Sequence, residues 1–168
     1  MFVGWQTFYQ MTAEAAATLT GLVFVVVTLS SGGRTPAAER GLRLFTSPTV
    51  FHLTSVLVIS ALALTPEGET PRPGVLMTAW SMGSLVYAVT RLVQLARMPE
   101  TSHWSDFWYY GFGPAVTYVA LAAANVAALA HLPHSAYAVA ICLLSLLLLG
   151  IRNAWDLATW LAPRRGGS

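Results

Sequence analysis

The chain has no lysine, a single cysteine and few charges of either sign. Only 10% of its 168 residues are Asp, Glu, Lys or Arg, against roughly a quarter in a soluble domain. So little charge cannot cover a water-facing surface, which argues against an ordinary cytosolic enzyme. All nine basic residues are arginines, and they are scattered; no basic patch or stripe supports nucleic-acid binding. One cysteine, Cys142, excludes an intrachain disulfide and leaves the redox compartment unread. The first basic residue is Arg34, so the apolar stretch ahead of it lacks the positive start of a signal peptide, and the first helix is expected to be retained. Phosphate-binding loops, nucleophile elbows and zincin motifs are missing, and the reading leans away from an enzyme.

What is abundant is apolar sequence, at 55% of residues and a mean hydropathy of +0.59. No charge occurs between Glu14 and Arg34, Arg43 and Glu67, Arg72 and Arg91, or Asp106 and Arg152. Each gap is close to or above the length of about 20 residues that crosses a bilayer, and the last, broken at Leu132-Pro133-His134-Ser135, is long enough for two crossings. The expectation is an all-α, polytopic transmembrane bundle forming one domain over residues 1–168. Its five spans lie at about 3–30, 48–65, 74–97, 111–131 and 136–161, or four if the second re-enters. Thr46-Ser47-Pro48 supplies a hydroxyl cap and a first-turn proline for the second helix. His103, Trp104, Phe107, Trp108, Tyr109 and Tyr110 place 101–110 at the headgroup boundary. Arg34, Arg40, Arg43, Arg91, Arg97, Arg152, Arg164 and Arg165 fall towards one side and Arg72 towards the other. By the positive-inside rule the N-terminus is outside and the C-terminus cytoplasmic.

Polar residues inside apolar spans are costly, and each is a functional candidate. At 1.5 Å per residue Glu14 lies roughly 15 Å from an outer start near Val3, close to the midplane. Glu14, Thr18, Gly21, Val25 and Thr28 share one face of the first helix, and Ala17-x-x-x-Gly21 would admit a close neighbour. As function, the stripe is a protonatable group beside a polar path. As structure, it is a carboxyl hydrogen-bonded to a neighbour such as Asn125, holding the bundle together. The third and fifth helices carry similar stripes, Ser81, Ser84, Ala88 and Arg91, and Cys142, Ser145, Leu149, Arg152, Asp156 and Thr159. Depth counting gathers His52, Arg91, Gln94, Arg152, Asn153 and Asp156 into the inner third, as an anion or proton vestibule or as snorkelling arginines with an Arg152–Asp156 pair. The histidines give no depth-matched pair for haem, and His131-x-x-His134 straddles a proline without a completing ligand, so no cofactor or metal is expected.

The run Ala13-Glu14-Ala15-Ala16-Ala17-Thr18-Leu19-Thr20-Gly21-Leu22-Val23-Phe24-Val25-Val26-Val27 and the closing Arg152-Asn153-Ala154-Trp155 resemble a group of small bacterial integral membrane proteins, some labelled as modulators of a membrane-bound AAA protease. The resemblance covers the two end helices and implies a multi-pass protein of the bacterial cytoplasmic membrane; Glu14 stands where that group has a small residue. Two functions compete. One is a homo-oligomeric channel or carrier for protons or small ions. The other is an accessory subunit docking a larger membrane protein through its small-residue faces.

Overall fold

The computed structural model describes residues 2, 4–29, 36–66, 73–97 and 107–161, the stretch 36–47 and positions 95, 107, 160 and 161 by their backbone only. Among these the chain is all-helical, with no strand: α1 (Gln6–Leu29), α2 (Pro36–Leu64), α3 (Pro73–Ala96), a π-helical turn (Phe107–Phe112), α4 (Gly113–Leu129) and α5 (Ser135–Leu161). Three segments, Gln6–Leu29, Trp108–Leu129 and Ser135–Thr159, are long and apolar enough to cross a membrane. The apolar part of α2, Pro48–Leu64, is shorter. In α3, Thr78, Ser81, Ser84, Thr90, Arg91 and Gln94 dilute an otherwise apolar run.

Two boundaries differ from the sequence reading. The second helix does not begin at Thr46-Ser47-Pro48 but twelve residues earlier at Pro36, and Pro48 lies inside it. Proline removes one amide donor and strains the preceding turn, yet α2 runs unbroken through Pro48, which is buried in the bundle with Thr49. The fourth helix does not start regularly at Gly111. Pro114 lacks the N–H that would bond the carbonyl four residues back, and the chain ahead of it takes the wider π turn, where a Cβ on Gly113 would meet the Trp108 carbonyl at 2.9 Å. Within the aromatic segment, Trp108, Tyr109 and Phe112 are exposed while Tyr110 is buried. Residues 101–106 lie outside the described residues, as do Arg34, Arg72, Arg164, Arg165 and the turn at Ser31-Gly32-Gly33.

At the bundle's centre, α2 packs on α1, α3 and α5, while α4 joins α3 to α5. Trp5 meets Tyr137 edge-on at 4.7 Å, which puts the beginnings of α1 and α5 at one end. The core is one long cluster that includes Tyr9, Val56, Ile59, Met77, Tyr118, Leu121, Leu143 and Leu146. A smaller one, Val23, Leu53 and Leu157, closes α1, α2 and α5. There Gly150 admits Leu53 so closely that an added Cβ would lie 2.8 Å from its Cδ2.

The turn from α4 to α5 is set by hydrogen bonds. The N–H of His131 donates to Ala128 O and that of Leu132 to Ala127 O, the paired closure of a Schellman motif. The position that normally carries glycine holds His131 at φ 56°.

Candidate functional site

On α1 the inward arc is Tyr9, Thr12, Ala16 and Val23. At 100° per residue, the stripe of Glu14, Thr18, Gly21, Val25 and Thr28 centres about half a turn away. It faces out of the bundle: Glu14, Thr18, Gly21, Val25 and Thr28 are all exposed, as is Ala17. Glu14 accepts a 3.0 Å hydrogen bond from the Gln10 side chain on its own helix, and Thr28 donates to Phe24 O. A Cβ on Gly21 would meet nothing within 4 Å. The expected Glu14–Asn125 bond is not made. Asn125 is buried on α4 and donates from Nδ2 to Ser81 Oγ on α3 at 2.7 Å, while Ser81 donates to Met77 O. The reason is rotational, since Glu14 points away from the interior in which Asn125 sits.

The polar residues that do meet inside form two further links. Thr12 gives its proton to the carbonyls of its own helix, Phe8 O and Tyr9 O, which leaves Ser60 to donate across to Thr12 at 2.9 Å. That bond ties α1 to α2. The second link joins α2 to α4. Ser55 donates to Phe51 O, Tyr118 O–H donates to Ser55 Oγ at 3.0 Å, and the remaining lone pair of Tyr118 takes the proton of His52 Nδ1 at 3.0 Å. Since every proton in this chain points one way, His52 is the Nδ1–H tautomer. Its Nε2 is then a buried acceptor without a partner.

No hydrogen bond or ion pair joins the inner-third residues of one helix to those of another. His52 is committed to Tyr118. Arg91 stays on α3, donating to Tyr87 Oη at 3.3 Å and to Gln94 Oε1 at 3.5 Å. On α5, Arg152 pairs with Asp156 at 3.5 Å and lies over the Tyr109 ring at 4.2 Å, and Tyr110 O–H reaches Asp156. Both arginines are long enough to find aromatic and polar partners one turn away at the rim, so neither is drawn inward. Asn153 is buried with both its amide atoms unpartnered. The α3 stripe runs opposite in sense to that of α1, with Ser81, Ser84 and Ala88 buried. Of the α5 stripe, Cys142 is buried while Arg152 and Thr159 are exposed.

Sequence reasoning did not single out Tyr118, Ser55, Thr12 or Ser60. Isolated hydroxyls in an apolar helix fit a bond to the carbonyl one turn back as well as a bond to a neighbouring helix, and no spacing separates the two. No group of three or more metal-ligating side chains occurs among the described residues. Comparison with protein-family models, with curated proteins and with solved structures gives no match.

Proposed function

We propose that the protein is a membrane-embedded subunit that self-associates through the outer face of α1, and that the homo-oligomer conducts protons or small ions along the Glu14–Thr18–Gly21–Thr28 stripe. The observation that carries this reading is the direction of Glu14. It lies about 12 Å from the start of a helix long enough to cross a bilayer, and it points away from its own bundle. A lone chain would hold a carboxyl against lipid, at a cost of about 3 kcal/mol on insertion scales. Copies meeting along this face replace lipid with Glu14, Gln10 and the hydroxyls of other copies. Ala17 and Gly21, both exposed, supply the small-x-x-x-small surface that lets backbones approach. The five-span topology in the bacterial cytoplasmic membrane, with N-terminus outside, belongs to the same proposal, as does the resemblance of the α1 run to small bacterial membrane proteins.

Native mass spectrometry in lipid nanodiscs tests it. The expected result is a closed homo-oligomer that Gly21→Leu breaks to monomers. Glu14→Gln is expected to keep that mass and lose proton flux in liposomes. A monomeric parent, or unchanged flux in Glu14→Gln, overturns it. The second reading, an accessory subunit, is favoured by a second open small-residue position, Gly83 on α3, which also meets nothing within 4 Å. A single larger protein co-purifying in fixed ratio and lost with Gly21→Leu would decide for it.

A further inference from the structure

The end of α5 and the π-helical turn share an exposed charge pair where two spanning segments end. The apolar segment Trp108–Leu129 begins at Trp108, and Ser135–Thr159 ends three residues past Asp156. Arg152 lies over the Tyr109 ring at 4.2 Å, which brings those two ends together. Trp108 and Tyr109 on the turn and Trp155 on α5 are exposed, and such amphipathic rings collect at the headgroup level of a bilayer.

The pair is pinned on one side and open on the other. Asp156 meets Arg152 Nε at 3.5 Å and accepts from the Tyr110 O–H at 3.4 Å, both on Oδ2, and Tyr110 is itself buried. Asp156 Oδ1 holds no hydrogen bond among the described residues. Arg152 has five N–H donors against the protein partners Asp156 and Tyr109. The two side chains remain 44% and 35% exposed, so both charges can be reached from outside. A guanidinium held by a ring stack and an ion pair loses little freedom on meeting a phosphate, and its planar fork matches two phosphate oxygens. The carboxylate oxygen beside it accepts from an N–H cation. Because the two charges cancel, the pair has no excess attraction for a purely anionic headgroup. Its complement is a minus beside a plus, a phosphate joined to an ammonium through a short bridge.

We infer that Arg152 and Asp156 bind the headgroup of a zwitterionic phospholipid of the phosphatidylethanolamine type, with the phosphate on the Arg152 fork and the primary ammonium on Asp156 Oδ1. Tyr109 and Tyr110 are positioning residues that hold the two charges in place. The inference rests on the membrane-embedded reading and is independent of assembly through α1.

The test is native mass spectrometry of the delipidated protein titrated with phosphatidylethanolamine, phosphatidylcholine and phosphatidylglycerol carrying the same acyl chains. Protomer number reports the α1 assembly and added lipid mass reports the headgroup site, so the two readings fail separately. The wild type is expected to take up the ethanolamine lipid first, with a half-saturation about tenfold below either of the others, the effect of one hydrogen bond to a charged group. Asp156→Asn strips the carboxylate but keeps the guanidinium, and is expected to invert the order so that the anionic glycerol lipid binds tightest. Arg152→Gln is expected to raise half-saturation for the ethanolamine lipid by about tenfold or more. Equal half-saturation of the ethanolamine and choline lipids in the wild type overturns the inference without recourse to any variant, since the ammonium N–H groups would then count for nothing. An unchanged order in Asp156→Asn overturns it too. Displacement of the bound lipid by soluble phosphoethanolamine overturns the assignment to a lipid.

Discussion

At the residue scale the interior works through single neutral hydrogen bonds rather than ion pairs. Thr12 with Ser60, Ser81 with Asn125, and His52 with Tyr118 and Ser55 each join two helices. In a bilayer, helices gain little from apolar burial, and such bonds contribute about 0.6–1.7 kcal/mol apiece. Tyr118→Phe removes the centre of the longest chain and strands both the His52 Nδ1 proton and the Ser55 oxygen. It is expected to lower stability by about 1–2 kcal/mol, read as a shift in the unfolding midpoint on titrating denaturing detergent into mixed micelles. No shift would mean that His52 and Ser55 find other partners. Arg152 with Asp156 is a different case. Both side chains are partly exposed at the bundle surface, and such a surface pair contributes between nothing and about 1 kcal/mol; its use is to orient the end of α5 against Tyr109 and Tyr110.

At the element scale the turn between α4 and α5 carries a visible strain. His131 sits at the left-handed position of a Schellman closure, where an L side chain costs about 1–2 kcal/mol that glycine avoids. His131→Gly is therefore expected to raise stability by about 1 kcal/mol, measured as a higher thermal midpoint in one detergent. An unchanged or lower midpoint would show that the imidazole is held by something outside this turn. The helices themselves were legible in the sequence because charge-free runs and Pro/Gly breaks mark them directly: Leu132-Pro133-His134-Ser135 does divide α4 from α5. The start of α2 was not, since the cap-like Thr46-Ser47-Pro48 imitates a helix beginning and the longer helix absorbs the proline. Nor was facing legible. Glu14–Thr28 and Ser81–Ala88 show the same small and polar spacing, yet the first looks out and the second in. In an α1 whose mean hydropathy is high all round, the periodicity says that a special face exists without saying which neighbour it meets.

At the scale of the whole molecule, the bundle is closed by α5 returning to α2. Gly150 and Leu53 are the fitted pair at that seam. Gly150→Ala is expected to cost about 1–3 kcal/mol by overpacking, since Leu53 is fully buried and has little room to swing aside. Leu53→Ala leaves a void worth about 2–5 kcal/mol. In the double variant the new methyl partly fills that void, so the combined loss should fall short of the sum, a double-mutant cycle on the same unfolding midpoints. Strict additivity would mean that the two residues do not touch in the membrane.

The central place of α2 also sets an order of events for a chain made from its N-terminus onwards. The α1–α2 hairpin can form as soon as Ser60 has emerged to meet Thr12, well before anything covers the opposite side of α2. Leu53 then waits for Gly150, and His52 for Tyr118, through the synthesis of α3 and α4. For that interval the nascent hairpin presents an imidazole and a raw leucine seam to whatever escorts it into the bilayer.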